Sequence, residues 1–122
     1  MDHRVVDPNH LELHPQFERL FEPPTQAEVS QRAAAMSRGE PFPPLLVDAR
    51  GRVLAGVACW RAARRLGWRQ ISAVVAPEMS PAELRALIVA ENIRTRNLRE
   101  VHLWRAMNNF FDMEPLRPPG GW

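Results

Sequence analysis

The chain alternates between short apolar runs and helical stripes, each opened or closed by recognisable punctuation. Ser80-Pro81-Ala82-Glu83 pairs a capping serine with proline at the first helical position and a glutamate three residues on. Leu84, Leu87 and Ile88 follow at helical spacing, which predicts a helix beginning at Pro81. Thr25-Gln26-Ala27-Glu28 has the same form and predicts a helix to about Arg38, with Gly39 as its stop. Behind the turn Pro41-Phe42-Pro43-Pro44, Leu45-Leu46-Val47 is continuously apolar and reads as a buried strand. Ala49-Arg50-Gly51-Arg52 then turns the chain into a second strand, Val53-Leu54-Ala55. Gly56 ends that hairpin, good helix formers run from Val57 to Leu66, and Gly67 is a natural stop. Ile71–Val75 reads as a third strand. Asn97-Leu98-Arg99-Glu100 opens a further helix to about Asp112, ahead of a Pro/Gly tail. Upstream of Thr25 the prolines interrupt any period, leaving room for a short strand at Val5–Val6 and a helical turn at Gln16–Phe21.

These elements predict one α+β domain with a short mixed sheet rather than a repeated βαβ series. The expected division is a lead-in over residues 1–24, a domain over 25–112 and a flexible tail over 113–122. A length of 122 residues suits a single core. With 45% hydrophobic and 25% charged residues, the composition excludes general disorder, collagen-like repeats and coiled coil. No apolar run is long enough for a membrane span, and Met1-Asp2-His3-Arg4 lacks an export pattern, so a soluble cytoplasmic protein is expected. The lone Cys59 excludes an internal disulfide framework and agrees with a reducing compartment. All 16 basic residues are arginine, and the formal net charge is only +2. A field that weak argues for nucleic-acid contact only where arginines cluster.

Two stretches carry candidate chemistry. At the first, a strand, Gly56 and a helix follow one another. The first turn of a helix leaves unpaired N–H groups and a positive dipole end, glycine allows close approach of a phosphate, and Arg61 lies within the first turns. The bland reading is a plain strand-to-helix turn with Arg61 on a solvated face. The second stretch is Glu91-Asn92-Ile93-Arg94-Thr95-Arg96-Asn97. Glu91 lies seven residues after Leu84, which predicts a carboxylate on the buried side of its helix. There it either pairs with a nearby arginine or, with Asn92, helps hold a ligand or metal.

Together these stretches resemble the ParB/sulfiredoxin superfamily, over residues of about 11–103. His14-Pro15, Ser37-Arg38-Gly39 before a proline-flanked strand, the segment Val53–Trp68 and Glu91-Asn92-Ile93 carry the resemblance. ParB-like loops usually read Gly-Glu-Arg-Arg-aromatic-Arg-Ala-Ala. This chain keeps Gly56, Trp60, Arg61, Ala62 and Ala63 but has Val57, Ala58 and Cys59 in the place of Glu-Arg-Arg. The family's Glu-Asn-x-x-Arg becomes Glu91-Asn92-Ile93-Arg94-Thr95, with Arg94 and Arg96 on either side of the expected arginine.

The resemblance implies a site for a nucleoside triphosphate with magnesium, cytidine triphosphate in chromosome-partitioning ParB. Its phosphate-binding positions would be Gly56, Val57, Ala58, Arg61, Glu91, Asn92, Arg94 and Arg96. Each charge-assisted phosphate contact is worth roughly 1.5–3 kcal/mol, so loss of two loop arginines would weaken binding on the order of a hundred-fold or more. Sulfiredoxin chemistry is disfavoured, because that cysteine directly follows the glycine, where this chain has Val57. The serine-kinase loop Gly-His-His-Arg is also missing, and sequence assembles no set of metal ligands. Arg64, Arg65, Arg69 and Arg99 are candidates for a nucleic-acid backbone patch. Trp104, Met107, Phe110 and Phe111 make the last predicted helix a candidate surface for a homodimer or a partner protein. The expected function is therefore a ParB-like binding or regulatory module with a partly degenerate phosphate loop. The alternative is an active hydrolase, kinase or nuclease of the same fold, with Glu91 as its catalytic residue.

Overall fold

A computed structural model describes residues 2–95, with side chains to Ile93. Its elements are β1 (Asp2–Val6), β2 (Glu12–Leu13), α1 (Pro15–Leu20), α2 (Gln26–Ser37), β3 (Leu45–Val47), β4 (Arg52–Ala55), α3 (Val57–Arg65), β5 (Ile71–Val75) and α4 (Pro81–Thr95), with a 3-10 turn at Pro8–His10. One mixed sheet runs in the order β1-β5-β3-β4-β2. The hairpin β3–β4 and the pair β1–β5 are antiparallel, whereas β3–β5 and β2–β4 are parallel. The helix expected from Asn97, with Trp104, Met107, Phe110 and Phe111, and the tail lie outside the described residues.

The central strands are covered on both sides. Successive strand residues point to opposite faces, yet all of Leu45, Leu46 and Val47, and also Val53, Leu54 and Ala55, are buried. α3 packs on β3 and on α2, while α4 packs on β4 and α1. The two capping boxes form as the sequence predicts. Thr25 Oγ1 accepts from the Glu28 amide and Glu28 Oε1 from the Thr25 amide, both at 3.1 Å. Ser80 and Glu83 exchange the equivalent pair at 3.2 and 3.3 Å.

Residues 1–24 are more than a lead-in, because they supply both edge strands and α1, whose Phe17 and Leu20 enter the core. The 3-10 turn is pinned from within. The indole Nε1 of buried Trp60 donates to the Pro8 carbonyl at 2.8 Å, and Arg64 lies 5.4 Å over the same ring. Trp60→Phe keeps the apolar body and removes the donor, leaving a buried carbonyl without its partner. It should destabilise the fold by about 1–3 kcal/mol, read by chemical denaturation.

Candidate functional site

The junction between β4 and α3 is built on a single glycine. Gly56 is the N-cap of α3 in the left-handed region, with φ of 85° and ψ of 26°. Its carbonyl accepts from the Trp60 amide at 2.9 Å, and no side chain caps the helix. The N–H groups of Val57, Ala58 and Cys59 are the first three of α3, and geometry gives them no acceptor within the helix. They sit at the positive end of its dipole.

That end opens into a cleft of about 50 Å³, lined by Phe17, Pro24, Arg32, Pro43, Gly56, Val57, Ala58, Cys59 and Asn92. Five segments meet there: α1, the approach to α2 with α2 itself, the proline turn before β3, the Gly56 loop with the first turn of α3, and α4. Asn92 enters from α4. It is 2% exposed, and its Nδ2 donates to the Leu54 carbonyl at 3.0 Å and to the Ile88 carbonyl at 2.7 Å. One side chain thereby ties α4 to the strand that leads into Gly56.

Charge comes to the cleft from α2. Arg32 is half-buried beside the apolar stripe Val29, Ala33 and Met36, and it makes no hydrogen bond or ion pair among the described residues. Its guanidinium acts on the Cys59 thiol: burial pushes that thiol up, and Arg32 pulls it back down. The net shift is upward, so Cys59 stays protonated at neutral pH and packs as a small hydrophobe.

The structure brings together some of the residues picked out by sequence. Gly56, Val57, Ala58 and Asn92 share the cleft, while Arg61, in the second turn of α3, is half-buried and does not line it. Glu91 is half-buried and also outside the lining; the buried positions of its helix, among the described residues, are Ile88 and Asn92. The periodicity that places Glu91 on the buried side is therefore corrected by one residue. The side chain of Arg94 and all of Arg96 and Arg99 lie outside the described residues. Arg64 is committed to the Trp60 ring, and Arg65 bridges to α2 through Ser30 Oγ at 2.8 Å and Gln26 Oε1 at 2.6 Å. Arg69 is exposed in the loop after α3 and acts on Asp7. Sequence reasoning missed Phe17, Pro24, Arg32 and Pro43. For Arg32 a signal existed, since a charged residue flanking the apolar stripe of α2 must lie half under its neighbours.

A second cluster lies where the N-terminus of α1 meets the β3–β4 hairpin. His14 is the N-cap of α1 and only 5% exposed, and its Nδ1 accepts from the Gln16 amide at 3.0 Å. Its Nε2 lies 3.9 Å from Asp48 Oδ2. Asp48 in turn accepts from Arg52 Nε at 2.6 Å and, through Oδ1, from the amides of Arg52 and Arg50 at 2.8 and 3.0 Å. Burial and the Arg52 charge hold His14 below its ordinary value of 6.5, against the pull of Asp48. Burial would raise the Asp48 carboxyl, but the bonds from Arg52 and Arg50 outweigh it and the net shift is downward.

No protein-family model matches the chain, and no curated protein does. Solved structures do. The N-domain of a pNOB8-like ParB superposes with a TM-score of 0.74 at 17% identity, over 91% of this chain and 41% of that one. Another crystal form of a pNOB8-like ParB N-domain gives 0.73 at 16% identity, over 91% and 44%. The C-terminally truncated chromosome-partitioning protein ParB from Caulobacter crescentus, complexed with CTP-gamma-S, gives 0.65 at 19% identity, over 80% and 56%. The chain spans about half the length of the solved chains it matches. Its fold is that of a ParB N-terminal domain, as the resemblance in sequence implies.

Proposed function

We propose that this chain is a ParB N-domain-like binding module that holds the phosphate end of a nucleotide in the Gly56 cleft and does not itself transform it. The observation that carries this reading is Arg32, a guanidinium without a hydrogen-bond or ion-pair partner among the described residues, facing the same cleft as three helix-terminal amides that no described side chain caps. The two arginines that the resemblance expects in the loop are absent, and Arg32 from α2 supplies a charge in their stead. An anion seated there would accept from the Val57, Ala58 and Cys59 amides and from the guanidinium together, each contact strengthened by the partial burial of the site.

The free volume is far below the roughly 300 Å³ of an ordinary small-molecule pocket, which suits a phosphate group better than an enclosed nucleoside. Magnesium has no carboxylate to meet among the described lining residues, so it fits only through the phosphate oxygens of its nucleotide. The ionisable groups of the described lining are Arg32 and a thiol held protonated, neither of which serves as a general base at neutral pH. CTP is the first nucleotide to try, because the Caulobacter crescentus ParB structure contains a CTP analogue.

Thermal unfolding of the full chain with CTP, with and without magnesium, tests the reading. A ligand at a hundred times its dissociation constant adds about 2.7 kcal/mol of stability. Arg32→Ala should weaken CTP binding about 10- to 100-fold, the worth of one charge-assisted contact. Failure of every nucleoside triphosphate to stabilise the chain would sink the proposal.

A further inference from the structure

We propose that His14 is a proton-operated latch on the cleft: acidification releases the start of α1 and, with it, the Phe17 wall against which a ligand is held. The functional consequence rests on the nucleotide reading above, whereas the latch itself does not.

Hydrogen-bond direction sets the ring's second proton against its cap. His14 Nδ1 accepts from the Gln16 amide, so the ring proton sits on Nε2, toward Asp48. A second proton has only Nδ1 to go to. Once Nδ1 carries hydrogen, two donors face each other at 3.0 Å, so the charged ring and the helix cap are mutually exclusive. Among the first amides of α1, Gln16 is the one that this side chain satisfies. Pro15 has no N–H, and the Phe17 amide already donates to the His14 carbonyl at 3.0 Å.

The released segment is short and bears directly on the cleft. α1 has six residues; its Phe17 is buried, lines the cleft and stacks on Phe21 with ring centroids 5.6 Å apart. The backbone of His14 is joined to β4 as well, through His14 N to the Val53 carbonyl at 3.0 Å, three residues before Gly56. The charged groups acting on the ring are Asp48, from the turn after β3, and Arg52, from β4. Asp48 would attract an imidazolium, but its oxygens are already taken by Arg52 and two amides, and the Arg52 charge opposes a second cation. Protonation is therefore driven by acid and must displace the cap.

The test uses the full chain, the His14 ring followed by NMR, and amide exchange at Gln16 and Phe17 from about pH 7.5 to about pH 5, corrected for intrinsic exchange. As the ring takes up its proton, protection at both amides should fall about five-fold or more, the worth of an N-cap. CTP affinity should fall in the same step. His14→Asn keeps a capping oxygen that does not titrate, so exchange should stay flat in that variant and CTP affinity should show only the part that protonation of the nucleotide's own terminal phosphate, at about pH 6, causes. A pH step of the same size in His14→Asn overturns the proposal. So does protonation of His14 without change at Gln16, or a ring that stays neutral until the whole fold is lost. If CTP binds at no pH while the exchange step appears, the nucleotide reading falls and the latch stands.

Discussion

Gly56→Ala should be among the most destabilising single substitutions in the chain, at about 2–5 kcal/mol, for two separable reasons. The first is backbone strain: at φ of 85° an L-residue pays roughly 1–2 kcal/mol that glycine does not. The second is space. A Cβ at position 56 would lie 2.8 Å from Leu45 Cδ2, and Leu45 is wholly buried in β3, so the methyl has nowhere to retreat. Overpacking of this kind adds about 1–3 kcal/mol. Gly39→Ala separates the two terms. Its φ is 77°, but nothing lies within 4 Å of the added carbon, so it should cost only the strain. In urea titrations both variants should lower the midpoint with unchanged slope, Gly56→Ala clearly more. Equal losses would mean that the contact with Leu45 is soft and that the Gly56 turn is held by φ alone.

The same residue shows which parts of the molecule are legible in sequence. Gly56 reads as a turn because local rules govern it: a strand ends, a helix begins, and only glycine sits easily at positive φ between them. The capping boxes at Thr25 and Ser80 read for the same reason, since their partners are three residues away. β5 follows from its own composition. What local rules cannot supply is pairing across the chain. β2 is two residues long and exists only because Arg52 and Val53 lie beside it, and the strand about Val5 extends to Asp2 only by pairing with β5. Neither segment has enough apolar character to declare itself.

The cleft divides along the same line. Gly56, Val57, Ala58 and Asn92 are legible because the resemblance aligns short motifs with their family positions. Arg32, Phe17, Pro24 and Pro43 come from segments brought to the loop by packing of α1 and α2, over separations that no motif spans. Loss of the loop arginines therefore reads in sequence as loss of charge, whereas the structure brings a different arginine to the same opening. Glu91 illustrates the converse. Its periodicity is correct to within one position, but on a helix one position is about 100° of rotation, enough to exchange a carboxylate for the amide of Asn92.

That exchange matters because position 92 faces carbonyl oxygens. Asn92 is matched to them: its Nδ2 gives one hydrogen to the Leu54 carbonyl and one to the Ile88 carbonyl. Asn92→Asp is nearly isosteric but replaces the donor with an oxygen, so a carboxylate would meet two carbonyls at about the distances of 3.0 and 2.7 Å now spanned by hydrogen bonds. An uncompensated buried charge costs about 3–5 kcal/mol, and the site would hold the new carboxyl well above the usual carboxylate range to escape it. The sign of the pH dependence follows. A folded-state value raised above the unfolded one means that the folded chain binds more protons, so the variant gains stability relative to wild type as pH falls through the raised value. Once protonated, the carboxyl also regains one donor. Asn92→Leu removes the same donors without adding a charge and should lose about 1–3 kcal/mol by a margin that does not vary with pH. Denaturation midpoints of the three proteins, compared from neutral to mildly acid pH, should show the Asp variant closing on wild type while the Leu variant keeps its distance. A parallel offset for both variants would mean that water or another donor reaches position 92, and that α4 is not tied to β4 through this side chain.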